Sequence, residues 1–137
     1  MRFLIIDDDY EDITILRRLL TSLSRSNVVD SSLGYQPAKA MIKNNQYDLI
    51  FIDFFLTEET GDHVVQMIRE NGFRMPIICI SDSFESSVEK LSRCSGATSF
   101  ALKRTIDEET LPIFIANAMK AAQEAASWTT QKIQNVP

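Results

Sequence analysis

The chain has 137 residues, of which 45% are hydrophobic and 24% charged, and its formal net charge is -5. This length suits one globular domain. The acidic balance argues against nucleic-acid binding, which needs clustered Lys and Arg. The apolar run at the N-terminus is too short for a signal peptide or a membrane span, so no membrane contact is expected. Cys79 and Cys94 have no metal-ligand spacing, and we expect reduced thiols in a cytoplasmic protein.

Short apolar segments alternate along the chain with segments of helical period. The strand-like segments are Phe3 to Ile6, Val28 to Leu33, Leu49 to Ile52, Pro76 to Ile80 and Thr98 to Leu102. The helical segments begin at Glu11, Pro37, Val64, Phe84 and Thr110, and they end near Ser24, Asn45, Gly72, Ser95 and Ala126. We expect Thr110 to cap the last helix. The predicted domain covers residues 1–127, and residues 128–137, where the apolar period is lost, are predicted to form a flexible tail.

Strand and helix alternate five times, with connections too long for hairpins. This pattern predicts an α/β fold, a five-stranded parallel sheet that is doubly wound by helices on both faces. Every strand then points its carboxyl end the same way, toward the edge where such sheets bind ligands. The residues at those ends are Asp7, Asp8, Asp53, Ser81 and Lys103.

The residue types at this edge suit phosphoryl chemistry. Three crowded carboxylates repel one another by a few kcal/mol per pair, and a hard divalent cation relieves that repulsion. Mg2+ fits best because it takes oxygen ligands and bridges to phosphate. Asp53 can then act as the oxygen nucleophile, while Ser81 and Lys103 compensate the charge of the phosphoryl oxygens.

The chain resembles the receiver domains of two-component response regulators, which have a flavodoxin-like (βα)5 fold. The resemblance extends from Arg2 to about Ala126. Its carriers are the segments 3–8 and 49–56, Gly61 eight places after Asp53, and the segments 76–81 and 101–103. Each motif is weak alone, but their order and spacing are specific.

This resemblance implies a role for each residue of the predicted site. Asp53 matches the phosphoacceptor and Asp8 the direct Mg2+ ligand. Asp7 matches the acid that holds the metal through water, and the backbone carbonyl of Phe55 matches the third protein ligand. Lys103 matches the lysine that pairs with the phosphate. The switch pair is matched by two further residues, Ser81 and Phe100.

The resemblance also implies partners. The phosphodonor would be a phosphohistidine on a sensor histidine kinase or a histidine phosphotransfer protein. Because the chain leaves no room for an output domain, we expect a stand-alone regulator that signals to a protein partner. The expected contact face comprises the fourth helix, the fifth strand and the fifth helix.

Several positions depart from the family pattern. Thr57 replaces a usual proline after the acceptor, which predicts a less rigid loop. Arg104 follows Lys103 where a cis proline is common, and we expect a trans peptide there. Asp82 replaces a small residue; its carboxylate either repels the phosphate or forms a capping pair with Glu85 for the fourth helix. Asp9 is expected to face solvent or to cap the first helix.

Alternative functions stay open at this point. A pseudo-receiver would keep the fold as an interaction module without being phosphorylated. A haloacid-dehalogenase-like phosphatase also uses a strand-end Asp, a hydroxyl, a lysine and Mg2+. That class needs a second Asp two places after the nucleophile, where this chain has Phe55. The leading hypothesis is therefore a phosphoacceptor rather than an enzyme.

Overall fold

The computed structural model describes residues 1–83 and 85–134, and for 129–134 it describes only the backbone. Five strands alternate with five helices. The strands are β1 (Arg2–Ile6), β2 (Val28–Ser32), β3 (Leu49–Asp53), β4 (Ile77–Ser81) and β5 (Ser99–Leu102). The helices are α1 (Tyr10–Leu23), α2 (Tyr35–Asn44), α3 (Gly61–Glu70), α4 (Ser86–Cys94) and α5 (Leu111–Gln134), and a 3-10 turn spans Lys103–Thr105.

All five strands pair in parallel in the order β2-β1-β3-β4-β5. The doubly wound α/β fold predicted from the sequence is therefore confirmed. β3 lies at the centre, and each of its five residues is buried. A strand buried on both faces explains why its sequence is continuously apolar until Asp53.

The sheet separates two apolar cores because side chains alternate between its faces along each strand. On one face, Phe3, Ile5 and Phe51 pack against apolar residues of α1 and α5. On the other face, Ile50 and Ile52 pack against residues of α2 and α3. Covering both faces leaves the strand ends as the open surfaces of the sheet.

Gly61 allows α3 to begin directly against the end of β3. Its amide donates to the carbonyl of Phe54 over 2.6 Å. A Cβ at this position would lie 2.5 Å from the carbonyl oxygen of Asp53. Only glycine permits so close an approach, so this residue fixes the loop that follows Asp53.

One predicted helix end was wrong. α5 does not end near Ala126 but continues to Gln134, because residues 127–134 contain neither glycine nor proline and include good helix formers such as Gln131 and Lys132. Residues 135–137 of the predicted tail lie outside the described residues, as does Phe84, the predicted start of the fourth helix. α4 begins at Ser86. None of the helices within 1–83 and 85–134 has both the length and the apolar character of a membrane span.

The capping predictions had mixed outcomes. Asp9 caps α1, since its carboxylate accepts from the amides of Glu11 and Asp12. Thr110 directly precedes α5, and its carbonyl accepts from the amide of Phe114 over 3.0 Å, so it occupies the predicted cap position. Its hydroxyl donates to the Thr105 carbonyl and accepts from the Asp107 amide.

The predicted Asp82–Glu85 capping pair was wrong. Glu85 occupies the cap position of α4 without a side-chain capping bond, and its amide donates to the hydroxyl of Ser83. Asp82 is exposed. The trans peptide expected after Lys103 is confirmed, as residues 1–83 and 85–134 contain no cis peptide bond.

Candidate functional site

The predicted site residues come from the ends of four neighbouring strands. Asp7 directly follows β1, Asp53 ends β3, Ser81 ends β4 and Lys103 directly follows β5. In the sheet register Asp53 is opposite Ile80, the neighbour of Ser81. Parallel pairing therefore brings residues that are far apart in sequence to one edge.

Three carboxylates meet at this edge. Oxygens of Asp7, Asp8 and Asp53 all lie within 4.8 Å of one another. Asp7 is 1% exposed and Asp53 is 6% exposed, whereas Asp8 is half-buried. Such an oxygen-only, acidic donor set fits a hard divalent cation such as Mg2+.

Lys103 connects the carboxylates. Its Nζ lies 3.0 Å from Asp7 Oδ2, 3.0 Å from Asp53 Oδ2 and 2.6 Å from Asp12 Oδ2. Burial alone would lower the pKa of Lys103, but the hydrogen bond that its ammonium donates to Asp12 and the charge of Asp53 outweigh burial and raise that pKa. The ammonium is thus a fixed positive charge between the acids.

Asp53 is the acid with the clearest perturbation. Burial and then the negative charge of Asp7 raise its pKa to about 6, against the lowering effect of Lys103. Its Oδ1 accepts a hydrogen bond from the amide of Phe55 over 3.1 Å. At neutral pH Asp53 is therefore a buried carboxylate, held by one ammonium and one amide.

Asp12 is a member of this site that the sequence analysis missed. It lies on α1 three residues after the cap Asp9, and its hydrogen bond to Lys103 joins residues 91 positions apart. Helical spacing gives a partial signal. Asp12, Leu16 and Leu19 follow one another by four and three residues and line one hollow together with Lys103.

Thr57 is a second contributor whose contact was not foreseen. Its amide donates to Asp8 Oδ2 over 2.7 Å, and its hydroxyl forms a short hydrogen bond to the same oxygen. A proline at this position would supply neither donor. This substitution therefore adds two hydrogen bonds to an acid of the predicted metal site.

The remaining predicted residues lie around this cluster. Ser81 is fully buried, and its Oγ accepts from the amide of Ser83 over 3.0 Å. Phe100 on β5 is half-buried and packs against the core formed with α2 and α3. The side chain of Phe55 is exposed and packs edge-on against Phe54.

The fold and this site define a class of protein: a parallel α/β domain that gathers acids, a hydroxyl and an ammonium at one sheet edge. Residues 3–128 match the family of response regulator receiver domains. The chain belongs to this family.

Curated relatives agree with this assignment. The chain is 28% identical over 102 residues to the two-component response regulator ORR3 of Oryza sativa, covering 73% of this chain and 77% of that protein. It is 26% identical over 91 residues to stress response regulator protein 1 of Lodderomyces elongisporus, covering 66% of this chain. It spans about a quarter of the length of that relative, and of the sensory transduction protein LytR of Staphylococcus haemolyticus.

Solved structures show the same fold. A two-component response regulator from Clostridium difficile superposes with a TM-score of 0.78 at 23% identity, covering 88% of this chain and 96% of that one. A CheY-like receiver domain protein from Methanospirillum hungatei superposes with a TM-score of 0.77 at 18% identity, covering 90% and 97%. At these identities the likeness establishes the architecture alone.

Proposed function

We propose that the chain is a phosphoacceptor of two-component signalling, in which Asp53 takes a phosphoryl group from a phosphohistidine in a Mg2+-dependent reaction. The observation that carries this proposal is the position of Lys103, whose Nζ lies 3.0 Å from both Asp7 and Asp53. A salt bridge that served stability alone would not need several carboxylates around one ammonium. A site that receives a phosphoryl group needs carboxylates, to accept the group and to hold the metal ion, and it needs an ammonium to pair with a phosphoryl oxygen.

The side chains have distinct tasks in this reaction. An oxygen of the Asp53 carboxylate attacks phosphorus, an O–P bond forms, and the N–P bond breaks with its electron pair returning to the donor imidazole. Because the pKa of Asp53 is about 6, the carboxylate is ionised and nucleophilic at neutral pH. Lys103 passes from the carboxylates to a phosphoryl oxygen, and the Ser81 hydroxyl donates to another.

The acids supply the metal ligands. Asp8 and Asp53 would hold Mg2+ directly together with the backbone carbonyl of Phe55, and Asp7 would hold it through water. Bound there, Mg2+ supplies positive charge that offsets the phosphoryl oxygens. Before the metal ion binds, the Lys103 ammonium reduces the repulsion among the acids.

The partners follow from the same proposal. The donor is a sensor histidine kinase or a histidine phosphotransfer protein. The output is a conformational change at the face formed by α4, β5 and α5. It follows when Ser81 and Phe100 shift inward in response to the charge of the phosphoryl group. Phe100 and Phe114 already line a hollow of about 420 Å3 on this face, together with residues of α4. A downstream protein would bind there.

The deciding experiment is phosphorylation by a small-molecule donor. The protein is incubated with Mg2+ and acetyl phosphate or phosphoramidate, and its intact mass is recorded beside that of Asp53→Asn. Asp30→Asn is a matched control, since Asp30 is a partly buried acid paired to Arg2 on another part of the sheet. We expect one added phosphoryl group in the wild type and the control, and none in Asp53→Asn.

Other outcomes contradict the proposal. No mass change in the wild type indicates a pseudo-receiver that acts without phosphorylation. Steady release of phosphate from many esters indicates a phosphatase. Phosphorylation that persists in Asp53→Asn places the acceptor elsewhere.

A further inference from the structure

The link between Asp8 and Thr57 has a consequence for metal binding. Both the amide and the hydroxyl of Thr57 donate to Asp8 Oδ2. We propose that Thr57 is a positioning residue, which holds the Asp8 carboxylate so that its other oxygen, Oδ1, faces the divalent cation. This inference rests on the proposed function, because it takes Asp8 as a metal ligand.

The three acids of the site differ in what holds them. Asp7 and Asp53 each accept from Lys103 through Oδ2 and from a backbone amide through Oδ1, those of Asp9 and Phe55 respectively. Both carboxylates are therefore fixed from two directions by neighbouring residues and by the ammonium.

Asp8 is the exception. Among the described residues its hydrogen bonds come from Thr57 alone, and it is the least buried of the three acids. Lys103 donates to Asp7, Asp12 and Asp53, but not to Asp8. Thr57 thus does for Asp8 what Lys103 and the local backbone do for the other two acids.

The loop that carries Thr57 is itself well fixed. Phe55 and Thr60 form an antiparallel bridge at its base, and the amide of Gly61 donates to Phe54. Thr57 therefore lies near the tip of a short closed loop. One of its two donors to Asp8 is the backbone amide of this loop, and the other is the hydroxyl of the short Thr57 side chain.

The chemistry gives the direction of the effect. Mg2+ is bound through single carboxylate oxygens at well-defined positions, so engaging Oδ2 leaves Oδ1 for the metal at a fixed orientation. Hydrogen bonds to ligating carboxylates generally strengthen metal binding, and their loss typically weakens it about 10- to 100-fold. We therefore expect Thr57 to tighten Mg2+ binding.

The test is calorimetric titration of the full chain with MgCl2, without any phosphodonor, in a graded series of variants. Thr57→Val removes the hydroxyl and keeps the amide, Thr57→Ser keeps both donors, and Thr57→Pro removes both. We expect Mg2+ binding about 10-fold weaker for Val, weaker still for Pro, and within about 2-fold of wild type for Ser.

Thr60→Val is the matched control. It makes the same chemical change in the same loop, at an exposed residue that does not cap α3 with its side chain. Thermal unfolding in EDTA checks that each variant is folded. The Val and Ser variants decide the question even where Pro disturbs the loop.

Two results would overturn the inference, and a third separates it from the proposed function. Thr57→Val that binds Mg2+ as tightly as wild type shows that the hydroxyl does not position Asp8. Thr57→Ser that is as weak as Thr57→Val shows that shape rather than hydrogen bonding matters. A wild-type chain that binds no Mg2+ removes the metal site itself, and with it the magnesium requirement of the proposed function.

Discussion

Two charged clusters on the same sheet are built in opposite ways. Near the start of β1, the guanidinium of Arg2 pairs with Asp30 over 2.8 Å, and the hydroxyl of Tyr47 donates to the same carboxylate over 2.7 Å. At the opposite edge, the one ammonium of Lys103 serves three carboxylates. The first cluster has one cation for one acid, and the second has a surplus of acids.

The pKa values of the acids register this difference. Burial tends to raise the pKa of Asp30, but the hydrogen bonds from Tyr47 and Arg2 outweigh it and lower that pKa. For Asp53, burial and the charge of Asp7 prevail and raise the pKa to about 6. An ion pair that stabilises the fold favours the charged acid, whereas the strand-end cluster disfavours it. Perturbation of this kind is typical of functional sites.

The largest expected effect comes from removing the shared cation. Lys103→Met keeps most of the side-chain volume but leaves Asp7 and Asp53 buried without a counter-charge. Removing one partner of a buried ion pair costs about 3 kcal/mol or more. We expect a loss of about that size in the free energy of unfolding at pH 8 in EDTA, measured by urea denaturation. The loss shrinks at pH 5, where protonation of Asp53 relieves the repulsion.

Arg2→Met is the matched variant in the other cluster. The Arg2 side chain is 40% exposed, and Asp30 keeps its hydrogen bond from Tyr47, so the loss of stability should be smaller and nearly independent of pH between 5 and 8. Equal losses in the two variants would contradict the comparison.

The sequence predicted the strand-end residues but not every residue around them. Asp7, Asp53, Ser81 and Lys103 were found because each directly ends or follows a strand, and parallel strands end at one edge. Asp12 was missed because it lies inside α1. Its contact with Lys103 depends on how that helix packs, which local pattern does not encode.

Thr57 shows a different limit. Its departure from the family pattern was visible in the sequence, but the missing proline was interpreted only through loop rigidity. The two hydrogen bonds to Asp8 join residues 49 positions apart and depend on the shape of the loop after β3. The predicted end of α5 was wrong for a local reason, because the helix continues to Gln134 although the sequence after Ala126 has no apolar period.

The next largest effect concerns Asp53, whose ionised form is disfavoured by its surroundings. In the folded chain the pKa of Asp53 is about 6 instead of 3.8, so its ionisation opposes folding. This cost is absent below about pH 4, grows as the pH rises, and is complete above about pH 6. At about 1.36 kcal/mol per pKa unit, this cost amounts to about 3 kcal/mol. A variant that removes the charge also loses the hydrogen bond from Lys103, so its net gain in stability is about 2 kcal/mol.

Asp53→Asn is therefore expected to stabilise the metal-free protein by about 2 kcal/mol at pH 8, and by less at pH 5. Urea denaturation in EDTA at the two pH values measures this difference. Asp30→Asn should act in the reverse direction, because ionised Asp30 is favoured by its partners. An Asp53→Asn variant that is less stable than wild type at pH 8 would show that the repulsion is already relieved.

The smallest effect is that of the metal, and it separates the clusters most directly. A cation that binds only the folded chain stabilises it by about 1.4 kcal/mol at ten times its dissociation constant. Mg2+ should therefore raise the unfolding temperature of the wild type, and EDTA should reverse the rise.

Asp8→Asn is expected to abolish this response, because it replaces a charged carboxylate ligand by a neutral amide and leaves Lys103 in place. Asp30→Asn should keep the full response, because the charge of Asp30 is already neutralised by Arg2 and is not part of the strand-end cluster. If Mg2+ raises the unfolding temperature of both variants as much as that of the wild type, the acids at the strand ends do not form a metal site. An excess of negative charge would then not indicate where this sheet binds a cation.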